Sequence, residues 1–172
     1  MDWKGRLLKD VSNELSKHTH SHIKQIDLKT LGVHLAVFSE PFLSAILSLE
    51  KSIESRFSKN RISPFKKVVA GDLIIMKESG GPVIGCFVAG KVEFRYNLTE
   101  KSFSELETQY GQKLCSHLSS TFWEDRLGAN YATLIGVHEV WKLPPLRVQK
   151  RDRMAWTVLK ERHQEIDLFE KS

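Results

Sequence analysis

Lys51, Glu54 and Arg56 place an ammonium, a carboxylate and a guanidinium within six residues, in the stretch Glu50-Lys51-Ser52-Ile53-Glu54-Ser55-Arg56. The stretch follows an amphipathic helical segment and opens what reads as a strand. Side chains of a strand alternate faces, so Glu54 and Arg56 at i and i+2 point to the same side. Lys51 falls at the helix-to-strand junction, where parity is not fixed and its side chain can reach the same spot. A carboxylate and a guanidinium hold each other in orientation, and a neighbouring lysine adds a second positive donor. Such a group suits a polar ligand that is anionic or base-like. The same spacing also makes an ordinary strand-face ion pair with a solvated lysine, and spacing alone leaves both readings open.

The elements around the trio must position it. Residues 33 to 38 read as a short buried strand. Ser39 suits a helix N-cap, with Pro41 in the first turn where its missing N–H is tolerated. Phe42, Ile46, Leu49 and Ile53 recur at i, i+4, i+7 and i+11, so a helix burying one face delivers Lys51 to the strand beyond. Val68 to Lys77 and Val83 to Phe94 are apolar and β-branched, with a Gly80-Gly81-Pro82 turn between them, which predicts a β-hairpin. Thr99 to Ser120 reads as a helix with a Ser102–Glu105 capping box. A second helix is predicted from about Thr121 to Leu127, capped by Thr121 and Glu124 and stopped at Gly128. Residues 131 to 143 return to strand, with Pro144-Pro145 ending the pairing, and Trp156 to Leu159 forms a closing strand.

The 172 residues suit one domain able to bury a core. Apolar content of 41% with 27% charged residues excludes a disordered chain. Lys plus Arg minus Asp plus Glu is 26 − 21 = +5, a balance that favours anionic partners, nucleic acid first. Two cysteines outside any metal-type spacing predict reduced thiols. With no membrane-length apolar run and no signal-peptide layout at the N-terminus, a cytoplasmic location is expected. Residues 1 to 32 form an N-terminal helical extension and linker whose stripe of Trp3, Leu7, Leu8, Val11 and Leu15 packs on the main body or binds a partner. The His18, His20, His22 tract reads as polar linker rather than metal site, since no Cys or carboxylate cluster completes a ligand set. A charged tail occupies residues 161–172.

Two basic runs flank the trio. Lys59, Arg61, Lys66 and Lys67 surround Phe65, and Lys150, Arg151 and Arg153 precede Trp156. Basic side chains interleaved with an aromatic suit a single strand of nucleic acid, although Phe65 tucked into the core explains its run equally well. Trp123, Trp141 and Trp156 are base-stacking platforms or core residues. No Ser/His/Asp or Cys/His nucleophile arrangement, zinc motif or P-loop occurs.

Four separated segments, in order, resemble the ASCH (ASC-1 homology) domain. They are His34 to Phe42, the Lys-x-x-Glu-x-Arg core at Lys51, Glu54 and Arg56, Gly71 to Lys77, and Tyr131 to Ile135 with Lys150 to Trp156. The likeness spans about residues 33 to 160. It implies an α+β fold: a small mixed PUA-like β-barrel flanked by helices. That fold serves many RNA-binding and modified-base-binding modules. The family often has Gly two residues before the motif lysine. Leu49 stands there instead, and a relaxed turn is expected.

The resemblance implies a module that binds RNA, a nucleotide or a modified nucleoside in a cleft lined by Ser39, Glu40, Lys51, Glu54 and Arg56, with the two basic runs on phosphate. It implies no cofactor and no membrane, and leaves protein partners unspecified. A hydrolase is the alternative, since some members are amidohydrolases on N4-acetylcytidine and others ribonucleases. Lys51 and Glu54 would then be catalytic, Lys51 with a pKa lowered by burial. Those amidohydrolases carry a threonine where this chain has Glu54, and need a further acid for which Glu105 and Glu107 are candidates. Glu54 is expected to favour the charged ammonium of Lys51. A protein-interaction adaptor displaying the N-terminal helix ranks third.

Overall fold

A computed structural model describes residues 2–18 and 28–163. His20 and His22 of the histidine tract, and most of the charged tail, lie outside the described residues. Three helices and six strands follow in chain order: α1 (Trp3–Ser16), β1 (Val33–Phe38), α2 (Phe42–Leu47), β2 (Ile53–Ser58), β3 (Leu73–Glu78), β4 (Val83–Tyr96), α3 (Glu100–Tyr110), β5 (Tyr131–Leu146) and β6 (Trp156–Lys160). The strands form one sheet in the order β2-β5-β4-β3-β1-β6. Only β1 and β3 pair in parallel; every other neighbouring pair is antiparallel. The sheet curls into a half-barrel, giving an α+β PUA-like architecture.

Alternation along the strands divides the core between the two sheet faces. On one face Val33, Leu35, Leu73, Ile75, Val83, Cys86 and Leu143 pack under Leu7, Val11 and Leu15 of α1. These three helical residues recur every fourth position, so α1 seals that face with one stripe. Asp2 starts the helix by accepting from Gly5 N–H at 2.8 Å. The stripe is therefore buried against the sheet and is not displayed to a partner. Burial pushes the Cys86 thiol up to about 12, as befits a core residue. On the other face Ala36, Phe38, Ile74, Met76, Phe87, Ile135 and Trp156 pack with Leu43 and Ile46 of α2. A third cluster joins Leu106 and Tyr110 of α3 to Leu114, Phe122 and Leu134.

Several local expectations are revised. The helix after Thr99 ends at Tyr110, and Cys115 takes a left-handed conformation at φ 53° before a short 3₁₀ turn. Its capping box uses Thr99 with Ser102, whose hydroxyl fills the role expected of Glu105. Residues 121–127 form turns and the 3₁₀ segment Glu124–Arg126, with the Thr121 hydroxyl donating to Asp125 Oδ2 at 2.9 Å. Pro144 and Pro145 do not end β5. The strand runs on to Leu146 opposite Val83, and a register shift against β4 accommodates both prolines, which are exposed. Residues 68–72 are irregular, so the hairpin is β3 and β4 alone. No helix among the described residues is long and apolar enough to cross a membrane.

Candidate functional site

Lys51, Glu54 and Arg56 converge on a cleft of about 440 Å³ between β2, α2 and the 122–126 turn. Its walls include Phe38, Ser39, Phe42, Phe57, Phe122, Asp125 and Arg126. The delivery of Lys51 depends on a sharp turn. Helix α2 stops at Leu47, the Leu49 N–H donates to the Ile46 carbonyl at 3.0 Å, and the N–H groups of Glu50 and Lys51 both donate to the Ala45 carbonyl at 2.9 Å. Leu49 adopts φ 67°, the left-handed region, and its side chain is 70% exposed. The expected relaxation is thus absent, and Leu49 is not part of the buried stripe. The tight turn persists with a leucine where glycine costs least.

The Lys51 ammonium is buried. It donates to the Leu114 carbonyl at 2.8 Å, stands 3.5 Å from Glu54 Oε2, and faces the Phe42 ring at 5.4 Å. Burial lowers its pKa, while Glu54 and the neighbouring Cys115 act to raise it without reversing the direction. Glu54 favours the charged ammonium, as expected, but loss of hydration outweighs the attraction of one carboxylate already shared with Arg56. Glu54 and Arg56 share a face of β2, as alternation requires. Arg56 Nε lies 2.9 Å from Glu54 Oε1, but its N–H is not aimed at that oxygen, so the contact is an ion pair without a hydrogen bond. Arg56 Nη2 donates to the Val37 carbonyl at 2.9 Å. The guanidinium also lies over the rings of Phe38 and Trp156, at 4.7 and 5.3 Å.

A polar chain beneath Trp156 anchors this platform. The Trp156 indole N–H donates to His34 Nδ1 at 3.1 Å, and His34 Nε2 lies 3.1 Å from Asp72 Oδ2. Indole is only a donor, so His34 Nδ1 must accept; His34 is then neutral, with its proton on Nε2 directed at Asp72. Asp72 also accepts from the backbone N–H groups of Gly32 and Val69 and from Arg162. Burial acts to raise the Asp72 pKa, but the hydrogen bonds from His34, Val69 and Arg162 outweigh it and hold the carboxyl below its ordinary value. Trp156 is thus a buried floor beneath Arg56, not an exposed stacking surface.

Glu40 does not line the cleft. Its carboxylate accepts from the Ser44 N–H and hydroxyl at 3.1 and 2.7 Å, which turns it along the start of α2. Glu105 and Glu107 are exposed on α3, with Glu105 facing Lys101, and neither lines the cleft; the carboxylate on its wall besides Glu54 is Asp125. Lys59, Arg61, Lys66 and Lys67 are exposed, and Phe65 between them is buried edge-on to Phe94 and Tyr131. Arg151 and Arg153 are exposed, whereas Lys150 is folded onto Asp152 with its side chain 4% exposed and is not available to phosphate. Phe122, Asp125 and Arg126 escaped the sequence reading, which placed them in a helix; nothing in local spacing aims an irregular turn at a distant strand. Among the described residues no group of three His, Cys, Asp or Glu side chains stands close enough to hold a metal ion.

These features define a PUA-like half-barrel with a polar, aromatic-walled cleft at the helix-to-strand junction. Among solved structures it is similar to the ASCH protein of Zymomonas mobilis, with TM-score 0.58 and 16% identity over 74% of this chain and 87% of that one. Two single-substitution variants of that protein match with TM-score 0.58 at 18% and 19% identity, over 90% and 88% of their chains. No protein-family model and no curated protein matches the sequence. The chain has the ASCH-domain fold; at this identity the likeness speaks for the fold alone.

Proposed function

We propose that the cleft binds RNA, a nucleotide or a modified nucleoside. One observation carries the reading: Lys51, Glu54 and Arg56 are held on one wall of an aromatic-lined cavity of about 440 Å³, within the range of small-ligand sites. The aromatic walls suit the face of a base, and the fixed guanidinium and ammonium suit its polar edge or an attached anion. Ser39 adds a hydroxyl at the rim. Lys59, Arg61, Lys66, Lys67, Arg151 and Arg153 would carry the phosphates of a longer strand. Labelled single-stranded RNA is then retained by the wild type, less as salt rises, and Arg56→Ala loses retention while staying folded by circular dichroism. Salt-insensitive retention, or none, refutes the reading.

The lowered pKa of Lys51 favours a second reading, a hydrolase on nucleosides or RNA. A neutral amine is a better base and nucleophile than an ammonium. N4-acetylcytidine and single-stranded RNA are the substrates to offer. Product that disappears in Lys51→Ala, with a rate that rises through the lowered lysine pKa, would establish it. An absence of product from either substrate would refute it.

A further inference from the structure

We infer that Arg126 and Arg56 form a phosphate subsite, so that the occupant of the cleft is a phosphorylated nucleoside, free or within a chain. The inference rests on the nucleoside reading of the same cleft. Arg126 is oriented before any ligand arrives: its guanidinium lies over the Phe122 ring with its centre 3.6 Å from the ring centroid, and Nη1 donates to the Phe122 carbonyl at 2.6 Å. A stacked guanidinium loses little freedom on binding and presents its remaining N–H groups as a fork matched to phosphate. Each of the cleft's carboxylates has another partner, although both still act on Arg126 through space. Glu54 faces Arg56 with one oxygen and Lys51 with the other, and Asp125 Oδ2 accepts from Thr121. Among the described residues none forms an ion pair with Arg126. Counting formal charges on the wall, Lys51, Arg56 and Arg126 against Glu54 and Asp125 leave 3 − 2 = +1. Burial disfavours the charge of Arg126 and is the largest effect; Glu54 and then Asp125 act to favour that charge, and Arg56 adds a smaller repulsion. An anion bound in the cleft by both guanidiniums would further offset that burial.

The test is calorimetric titration of the full chain with the four ribonucleosides, their 5′-monophosphates, a ribodinucleotide and inorganic phosphate. At least one monophosphate should bind tenfold or more tightly than its nucleoside. Arg126→Gln should weaken the monophosphate by more than the nucleoside and so erase most of that difference, and Arg126→Lys should restore part of it, because charge returns without the fork. A thermal melt of each variant checks folding. If the dinucleotide shares the Arg126-dependent gain, the phosphate is read within a chain; if only the monophosphates do, it is read as a terminal group. Nucleosides that bind as tightly as their monophosphates would overturn the phosphate subsite and leave the nucleoside reading standing. Arg126→Gln weakening nucleoside and monophosphate equally would do the same. Failure of nucleosides, nucleotides and dinucleotide alike would overturn both.

Discussion

Asp72→Asn changes one atom of the buried chain beneath the cleft and should destabilise the protein by about 3–6 kcal/mol. The figure follows from the hydrogen bonds. Asp72 Oδ1 accepts from Gly32 N at 3.0 Å and from Arg162 Nε and Nη2 at 3.1 and 2.8 Å. Oδ2 accepts from His34 Nε2 and Val69 N at 3.1 and 3.0 Å. An asparagine must set its NH₂ against one of these groups of donors. Turned to the Oδ2 side, it opposes His34 and Val69, and His34 cannot reverse its tautomer without abandoning the Trp156 indole. Turned to the Oδ1 side, it opposes Gly32 and Arg162. The first orientation loses two charge-assisted bonds and the second three; the cheaper one therefore costs two, at about 1.5–3 kcal/mol each.

For a chain of this size that is a fall in melting temperature of about 6–24 °C. Urea unfolding and calorimetry at neutral pH read it directly. The pH dependence supplies a second reading. The folded carboxyl of Asp72 sits below its ordinary value, so its contribution is present above the unfolded carboxylate pKa and is lost as pH falls through the folded one. The gap between wild type and Asp72→Asn should therefore close on acidification. A melting temperature within 2 °C of wild type at neutral pH, or a gap that widens in acid, would refute the network. Because Trp156 floors Arg56, the variant should also weaken ligand retention.

Three further outcomes are expected. Leu49→Gly should stabilise by about 1 kcal/mol in urea unfolding, because relief of a left-handed leucine, about 1–2 kcal/mol, exceeds the entropy cost of glycine, about 0.5–1; a net loss would show that Leu49 is unstrained. Gly32→Ala should cost about 1–3 kcal/mol, since its Cβ would stand 2.8–2.9 Å from three atoms of the pinned Asp72 carboxylate; a neutral substitution would mean that this carboxylate can move. The Glu93 carboxyl should titrate at about 2 by NMR, held down first by Lys91, with Arg95 and Tyr110 also donating and burial opposing. Its contribution to stability is then present above the ordinary glutamate range and disappears as pH falls towards 2. Titration in the ordinary glutamate range would refute that cluster.

Local pattern made much of this chain legible. The fourfold spacing of Leu7, Val11 and Leu15 announced α1, and alternation put Glu54 and Arg56 on one face of β2. Both are short-range consequences of helical and strand geometry, and the ordered resemblance of four segments carried them to the right fold. What the sequence by itself determined is therefore most of the elements, the α+β barrel-type fold that the resemblance implied, and the charged trio at its helix-to-strand junction. Tertiary structure alone decided the rest. Leu49 was read as core because helical spacing does not reveal that α2 stops two residues earlier. Lys150 was read as a phosphate contact because composition does not show a side chain folding onto Asp152. His34 gained its partners only when β1, β3 and β6 became neighbours and set Asp72 and Trp156 against its two ring nitrogens. Arg126 was invisible because an irregular turn has no period to read. Its place in the same cleft as Arg56 and the lowered pKa of Lys51 arise from packing between distant segments, where the exclusion of water, not spacing along the chain, sets the chemistry.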